Sequence, residues 1–445
     1  MNRSIAAVFL TLLISFASGA AETKPNIILI VTDDQGWADI GYHNDEVRTP
    51  NIDKLCKMGV QLDAHYVQPQ CTPTRVALMT GRYPSRFGPQ ATFANNKPAF
   101  PKGTLTMAQM LKDLGYDTAL MGKWHLGSSA KHGPNHFGFD YSYGSLAGAV
   151  GNYNHVYRIG SPYEITWHRN GQIIDGYENG THTTDLIAAD AIRFLEKQRE
   201  KPFFLYLPFH AVHLPIYEED EKWHEMNAHV EDGDRRAFLA AASHLDDAIG
   251  QIINAVENSV ALENTIVIFT SDNGGVHWAH PGNAYPAPDP AMKKGFSSNA
   301  PLRAGKITAY EGGMRVPAFI TWVGKLEPHK MTARMHVSDW LPTLAGLLNP
   351  QSAQSPDWDG QNVWPLLTGK QKKYEKPRTI YTTWNNRTWE ALHHGDMKIV
   401  RQKGKPWQLY DLAKDPIEKN NLAKQMPGKV AELVTLYKAE KTKDE

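Results

Sequence analysis

The chain has 445 residues, enough to bury a large core in about two units. Its 47 lysines and arginines balance 47 aspartates and glutamates, so no net field draws it to nucleic acid or an acidic membrane, and an anionic ligand must meet a local cluster of cations. Two cysteines, Cys56 and Cys71, exclude a disulfide-stapled scaffold.

The N-terminus reads as an export signal. Arg3 is the positive start, residues 5–16 are an apolar run too short to span a bilayer comfortably, and Ser18-Gly19-Ala20 suits cleavage after Ala20. Residues 1–20 are thus expected to be a signal peptide, leaving a periplasmic or secreted, bacterial protein. No cysteine follows the cleavage point, which excludes a lipoprotein anchor. No later segment has the ~20 apolar residues of a membrane helix.

Residues 27–32, I-I-L-I-V-T, form a continuous β-branched run of the kind buried on both faces of a parallel sheet. Thr49-Pro50-Asn51 opens a helix through residue 57, closed by Gly59, with Cys56 as inert core on its apolar face. A second helix covers 106–114 and a strand 118–121. A helix over 184–198 precedes a buried strand over 203–208, and a long amphipathic helix over 237–257 precedes another over 265–270. This alternation predicts an α/β fold, a large and mostly parallel sheet sandwiched by helices, over residues 21–350. After a short helix near Asp339 and a polar connection, short strands over 379–383, 391–394, 397–401 and 407–412 and a helix over 426–438 predict a small C-terminal antiparallel sheet plus helix, residues 351–445. The charged tail through Glu445 is expected to fray.

Two acidic pairs stand at predicted strand ends: Asp33-Asp34 after the first strand, and Asp272-Asn273 before Gly274-Gly275. Ligands of open α/β sheets bind outside the carboxyl ends of the strands, so both pairs are expected on one edge. Three carboxylates and an amide oxygen suit Ca²⁺ or Mg²⁺ rather than zinc. Either pair alone is an ordinary turn or helix cap. A second set carries cations. Lys123 and His125 lie in G-K-W-H-L-G, His210 and His213 in H-A-V-H-L-P, and Lys306 in a glycine-rich segment where backbone can approach a ligand closely. A lone lysine or histidine is more often structural. Together they offer what a reaction transferring a charged group needs.

The run V-Q-P-Q-C-T-P-T-R-V-A-L-M-T-G-R-Y-P-S-R-F-G, Val67 to Gly88, puts Cys71 at a helix start, with Pro73 in its first turn and Arg75 one turn in. It resembles the signature of the formylglycine-dependent sulfatases of the alkaline-phosphatase-like superfamily. The resemblance implies that Cys71 is oxidised to 3-oxoalanine by a formylglycine-generating or an anaerobic sulfatase-maturing enzyme. It implies that Asp33, Asp34, Asp272, Asn273 and the modified Cys71 bind one Ca²⁺, with Mg²⁺ the less favoured ion. By the same likeness Arg75 holds the hydrated aldehyde, and Lys123, Lys306 and His213 grip the sulfate and its bridging oxygen. His125 removes a proton from the second hydroxyl of the hydrate.

Within that family, G-W-A-D-I-G-Y-H, N-A-P-L-R-A-G-K and H-V-S-D-W-L-P-T-L are similar to the N-acetylgalactosamine-4-sulfatase (arylsulfatase B-like) branch. The implied substrate is a sulfated oligo- or polysaccharide, an N-acetylgalactosamine 4-sulfate or a galactan sulfate, cleaved at a chain end. Residues 128–180 and 276–299 do not resemble that branch closely and are expected to build the sugar subsites. The candidates there are Asn152, Tyr153, Asn154, His155, Trp278 and His280, together with His43 near the acidic loop. Two rivals stand beside this reading. One is a phosphonate or phosphodiester hydrolase with the same formylglycine site. The other is a non-catalytic glycan-binding protein with Cys71 unmodified.

Overall fold

The computed structural model describes residues 24–176, 178–278, 296–349 and 357–445. The expected signal peptide and His280 lie outside them.

One ten-stranded sheet dominates. Its spatial order is His329–Met331, Val60–Leu62, Ala318–Thr321, Thr265–Ser271, Asn26–Thr32, Phe203–Pro208, Asp117–Lys123, Tyr141–Ser145, Trp167–Arg169, Gln172–Ile173. The five strands from Thr265–Ser271 to Tyr141–Ser145 run parallel. Two reversals interrupt the flanks: Ala318–Thr321 is antiparallel to both neighbours, and Trp167–Arg169 and Gln172–Ile173 close the other edge as a hairpin. The sheet is therefore mixed but mostly parallel, since Val60–Leu62 and His329–Met331, parallel to each other, run the same way as the central strands. The hairpin turn is Asn170-Gly171, both at positive φ. That is the two-residue turn whose twist matches its strands, and the dipeptide signalled it in the sequence.

Every residue of Asn26–Thr32 is buried. Ile27, Leu29 and Val31 face a cluster containing Val76 and Leu78 of the Cys71–Thr80 helix. Ile28 and Ile30 face the opposite cluster, with Ile187 of Thr183–Leu195 and Leu245 and Ile249 of Gly233–Ser259. Burying five aliphatic side chains contributes on the order of 10 kcal/mol, so the strand ends form a rigid platform. The long helix starts earlier than its apolar pattern suggests, because the Asp232 side chain accepts from the Asp234 and Arg235 N–H groups.

The C-terminal part is a four-stranded antiparallel sheet, Thr379–Trp384, Trp389–His394, Met397–Gln402 and Gln408–Asp411, with the helix Pro427–Lys441. One face packs Tyr381, Leu392, Ile399 and Leu409 against Leu433 and Tyr437 of that helix. The other packs Ile380, Ala391 and Val400 against Tyr66, Ala309 and Met314, and so supports the glycine-rich segment that carries Lys306. Buried charges tie the same contact: Lys398 Nζ lies 2.9 Å from Glu311 and 2.8 Å from Glu418. The tail corrects the sequence expectation. Arg86 pairs with Asp444 at 2.7 Å, and the Glu445 N–H donates to the Ser85 carbonyl at 3.2 Å, so the end of the chain is anchored.

Candidate active site

Four adjacent parallel strands end at one place. In spatial order they deliver Asp272 and Asn273, then Asp33 and Asp34, then His210 and His213, then Lys123 and His125. Register explains the meeting. Thr32 pairs with Ser271, Val31 with Pro208, and Leu120 with Tyr206, so the chains leave the sheet at nearly one level. Backbone bonds then fix the loops together. The Asp33 N–H donates to the Ala211 carbonyl, and the Asp272 N–H donates to the Thr32 carbonyl, each at 3.0 Å.

Cys71 begins the Cys71–Thr80 helix that points at this edge. Gln70 before it is extended, every helical residue is buried, and Gly81 at φ 68° ends the helix. Arg75, fully buried, donates from Nε and Nη2 to Asp272 Oδ2 at 3.2 and 2.8 Å, and from Nη1 to the Lys123 carbonyl at 2.9 Å. It thereby clamps the helix to two strand ends. Lys306 enters from the glycine-rich segment, where its N–H donates to the Gly275 carbonyl at 3.2 Å. Its ammonium lies 2.6 Å from Asp34 Oδ1. Lys123 lies 2.5 Å from Asp33 Oδ2, and His213 Nε2 lies 3.6 Å from Asp34 Oδ2.

These groups underlie a cavity of about 230 Å³, lined by the buried Asp34, Cys71, His125, His213, Leu214 and Lys306 and by the more exposed Tyr157, Arg158 and Trp278 at its rim. Gly148 also lines it. A Cβ there would lie 2.2–2.3 Å from the His125 ring, so only glycine leaves that imidazole its place.

Burial dominates the electrostatics. It pushes the Cys71 thiol up, although Lys123 and Lys306 oppose it, so the unmodified residue is a neutral thiol rather than a thiolate nucleophile. Burial, with Lys123 and Arg75 nearby, holds His125 well below 6.5 and therefore neutral. Burial also lowers His213, to about 3, against the pull of Asp34. Burial and the neighbouring Asp272 raise Asp33. Asp34 goes the other way. Burial alone would raise it, but the Lys306 ammonium overrides that and holds its carboxyl below the usual range. Lys306 in turn stays charged.

The same residues fit a hard cation. Asp33 Oδ1 and Asn273 Oδ1 are buried acceptors with no hydrogen-bond donor, an expensive arrangement unless an ion or water satisfies them. Asp33, Asp34 and His213 place ligand atoms within 4.8 Å of one another. Carboxylate and amide oxygens in this number are the donors that calcium takes.

The residues expected at the chemistry thus converge, Asp33, Asp34, Cys71, Arg75, Lys123, His125, His213, Asp272, Asn273 and Lys306 alike. The sugar candidates divide. Trp278 lines the cavity. Asn152 donates to the Pro215 carbonyl at 3.1 Å and accepts from the Thr183 hydroxyl. The Tyr153 hydroxyl accepts from the Glu219 N–H. His155 is buried, stacked on Trp167 with its Nε2 at the Thr181 carbonyl. His43 is stacked on Trp37, with its Nδ1 at the Trp37 carbonyl. These four are not in the cavity lining; Asn152 and His155 brace the loop that leads to Tyr157, and His43 packs in the loop after the first strand, beside Gln61. Tyr157 and Arg158, missed by the sequence reading, occupy the wall that Asn152 and His155 support. The only signal for them was their place in an insert between strand and helix. Nothing in the sequence marked Gly148.

Comparison with known proteins agrees with this geometry. The family model described as Sulfatase matches residues 25–350. The chain is 31% identical to an N-acetylgalactosamine-6-O-sulfatase of Bacteroides thetaiotaomicron, over 96% of this chain and 95% of that protein. It is 30% identical to arylsulfatase J of Mus musculus, over 94% of this chain and 76% of that protein. The crystal structure of Ps i-CgsB in complex with k-i-k-neocarrahexaose superposes with a TM-score of 0.83 at 29% identity, covering 95% of this chain and 94% of the other.

Proposed function

Because the chain belongs to the sulfatase family and is a sulfuric ester hydrolase, we propose that it removes sulfate from the end of a glycan built on galactose or N-acetylgalactosamine, using 3-oxoalanine at Cys71 and one calcium ion. The observation that carries this reading is the position of Cys71. It is a buried, neutral thiol at a helix start, ringed by Lys123, Lys306, His125 and His213, with the orphaned oxygens of Asp33 and Asn273 beside them. Left unmodified, Cys71 stays a protonated thiol there, because burial outweighs the two ammonium groups. A hydrated aldehyde supplies a nucleophile and a second hydroxyl there, and calcium, when bound, offsets the clustered carboxylates and polarises a sulfate oxygen.

The protein's own groups do the rest. Lys123 and Lys306, both held charged, attract the sulfate anion to the floor. His125, neutral at pH 7, takes a proton at its imidazole. Lys306 carries a proton available to the departing sugar oxygen, with the neutral His213 ring as its neighbour. The cavity volume is below the ~300 Å³ at which drug-sized sites begin, which suits one terminal sugar.

Two relatives support the substrate class. One is named for N-acetylgalactosamine 6-sulfate and the other is bound to neocarrahexaose. Export and maturation of Cys71 by a dedicated oxidising enzyme belong to the same proposal.

The test is sulfate release from N-acetylgalactosamine oligosaccharides of defined length, sulfated at position 4 or at position 6, by protein whose aldehyde content is known. Release of one sulfate per chain, from the non-reducing end, is expected from one of the two. No release from either, with an aryl sulfate still cleaved, would remove galactosamine and leave the galactan sulfates. Faster turnover of an aryl phosphodiester than of the aryl sulfate would contradict the sulfate reading itself.

A further inference from the structure

A second groove, of about 430 Å³ against about 230 Å³ for the active-site cavity, lies where the large sheet meets the C-terminal one. It is lined by residues 332–334, which follow the edge strand His329–Met331. The turn Gly395-Asp396, between Trp389–His394 and Met397–Gln402, and residues 372–378, which lead into Thr379–Trp384, complete it. None of these residues lines the active-site cavity.

The three stretches hold one another. The Tyr374 hydroxyl donates to the Arg334 carbonyl at 2.8 Å, and the Gly395 N–H donates to the Arg378 carbonyl at 2.9 Å. The groove is therefore a fixed feature of the fold.

Its charge is lopsided. Residues 370–378, K-Q-K-K-Y-E-K-P-R, carry five cations and one carboxylate in a chain whose charges otherwise balance. The two lining arginines are spent, Arg378 on Asp339 and Arg334 on Asp396, each at 2.5 Å. Lys372, Lys373 and Lys376 are exposed and form no ion pair among the described residues. Three ammonium groups thus face one lining carboxylate, Glu375. Cations so close repel one another, and an anion in the groove relieves the repulsion.

A small anion meets one or two of these lysines, whereas a chain with sulfate on successive rings meets all three. Lysine is a point charge on a flexible stem, so it accepts anions at varied spacing rather than in one fixed geometry. The half-buried Tyr374 adds apolar surface for the body of a sugar.

We propose that this groove is a second glycan site, at which Lys372, Lys373 and Lys376 retain a sulfated stretch of polysaccharide away from the reaction. The proposal rests on the glycan reading above and extends it from the cleaved sugar to the polymer.

The experiment compares the lysine protein with two triple variants, Gln or Arg in place of Lys372, Lys373 and Lys376. Binding is measured with Cys71→Ala in all three, so that no polymer is cut. The probes are a galactan sulfate, the same galactan chemically desulfated, and chondroitin 4-sulfate, all as polymers. The glutamine variant is expected to bind both sulfated polymers about tenfold more weakly at about 50 mM salt, and the arginine variant to bind them as the lysine protein does. The difference should shrink at about 500 mM, where exposed charges are screened. Binding of the desulfated galactan should not depend on the lysines. With Cys71 intact and matured, aryl sulfate turnover should stay within about twofold of wild type in both variants. Unchanged affinity of the glutamine variant for both sulfated polymers, equal loss on the desulfated one, or aryl sulfate turnover that falls in step with binding overturns the second site. The glycan reading is tested apart from it. If wild-type enzyme cleaves the aryl sulfate and no sulfated oligosaccharide, that reading falls and the groove's assignment with it. Cleavage of an oligosaccharide together with unchanged polymer binding removes the groove alone.

Discussion

Beneath the floor of the cavity Asp33, Asp272, Arg75 and Lys123 have no exposed surface, and Arg75 with Asp272 and Lys123 with Asp33 form contacts of 2.8 and 2.5 Å. At the rim Arg158 is exposed, and Tyr157 and Trp278 are half-buried on loops. A charge taken from water costs several kcal/mol unless it is paired, so the floor groups are locked to one another and to four strand ends. The rim pays no such penalty and can change with the substrate. The contrast assigns the reaction to the sheet and the choice of glycan to the inserts.

The sharpest way to break that division is at Cys71. Cys71→Ala should lower turnover by at least about 10⁴-fold while moving the thermal midpoint only a few degrees, since one small buried side chain is lost. Activity and melting measured on the same preparation check it; residual turnover near wild type would place the nucleophile elsewhere.

Calcium removal comes next. Chelation should abolish activity reversibly and lower the melting temperature, because without a cation Asp33, Asp34 and Asp272 crowd together and the buried Asp33 Oδ1 and Asn273 Oδ1 have no hydrogen-bond donor. Restoration by Ca²⁺ in a melting assay would confirm the floor as the ion's place. An unmoved melting curve would count against it.

Gly148 tests how finely the floor is set. A Cβ there displaces the His125 ring, so Gly148→Ala should cost about 10²-fold in kcat, the scale of an ångström misplacement, with KM little changed. The same ring sets a pH signature. Burial and neighbouring cations hold His125 well below 6.5, so its neutral, proton-accepting form persists as pH falls to that value. The acid limb of kcat is expected below pH 6.5, and a kcat already falling between pH 8 and 6.5 would contradict this.

The rim should yield the smallest effect. Trp278→Ala should raise KM for an oligosaccharide about three- to tenfold, the range of a lost aromatic contact, with kcat and aryl sulfate turnover retained. A loss of kcat instead would show that the rim takes part in the chemistry.

The same contrast decides what could be read from the sequence. Floor residues follow buried apolar strands, whose runs are unmistakable, and strand ends of an α/β sheet converge whatever the loops do. Asp33, Lys123, His213 and Asp272 were legible for that reason, and Cys71 through the resemblance of its flanking run to the sulfatase signature. The rim has no periodicity. Asn152 and His155 looked like sugar ligands by residue type, yet their polar atoms are spent on Pro215, Thr183 and Thr181, while Arg158, three residues on from His155, reaches the cavity. The edge hairpin escaped the reading although Asn170-Gly171 announced it. The tail looked frayed because nothing local shows that Arg86, far away in sequence, waits for Asp444.

The most direct test of the account is the rate of aryl sulfate turnover against the fraction of Cys71 converted to aldehyde, read by peptide mass across preparations made with differing amounts of maturation enzyme. The account predicts a straight line through the origin. Full turnover by protein that carries only the thiol would contradict it.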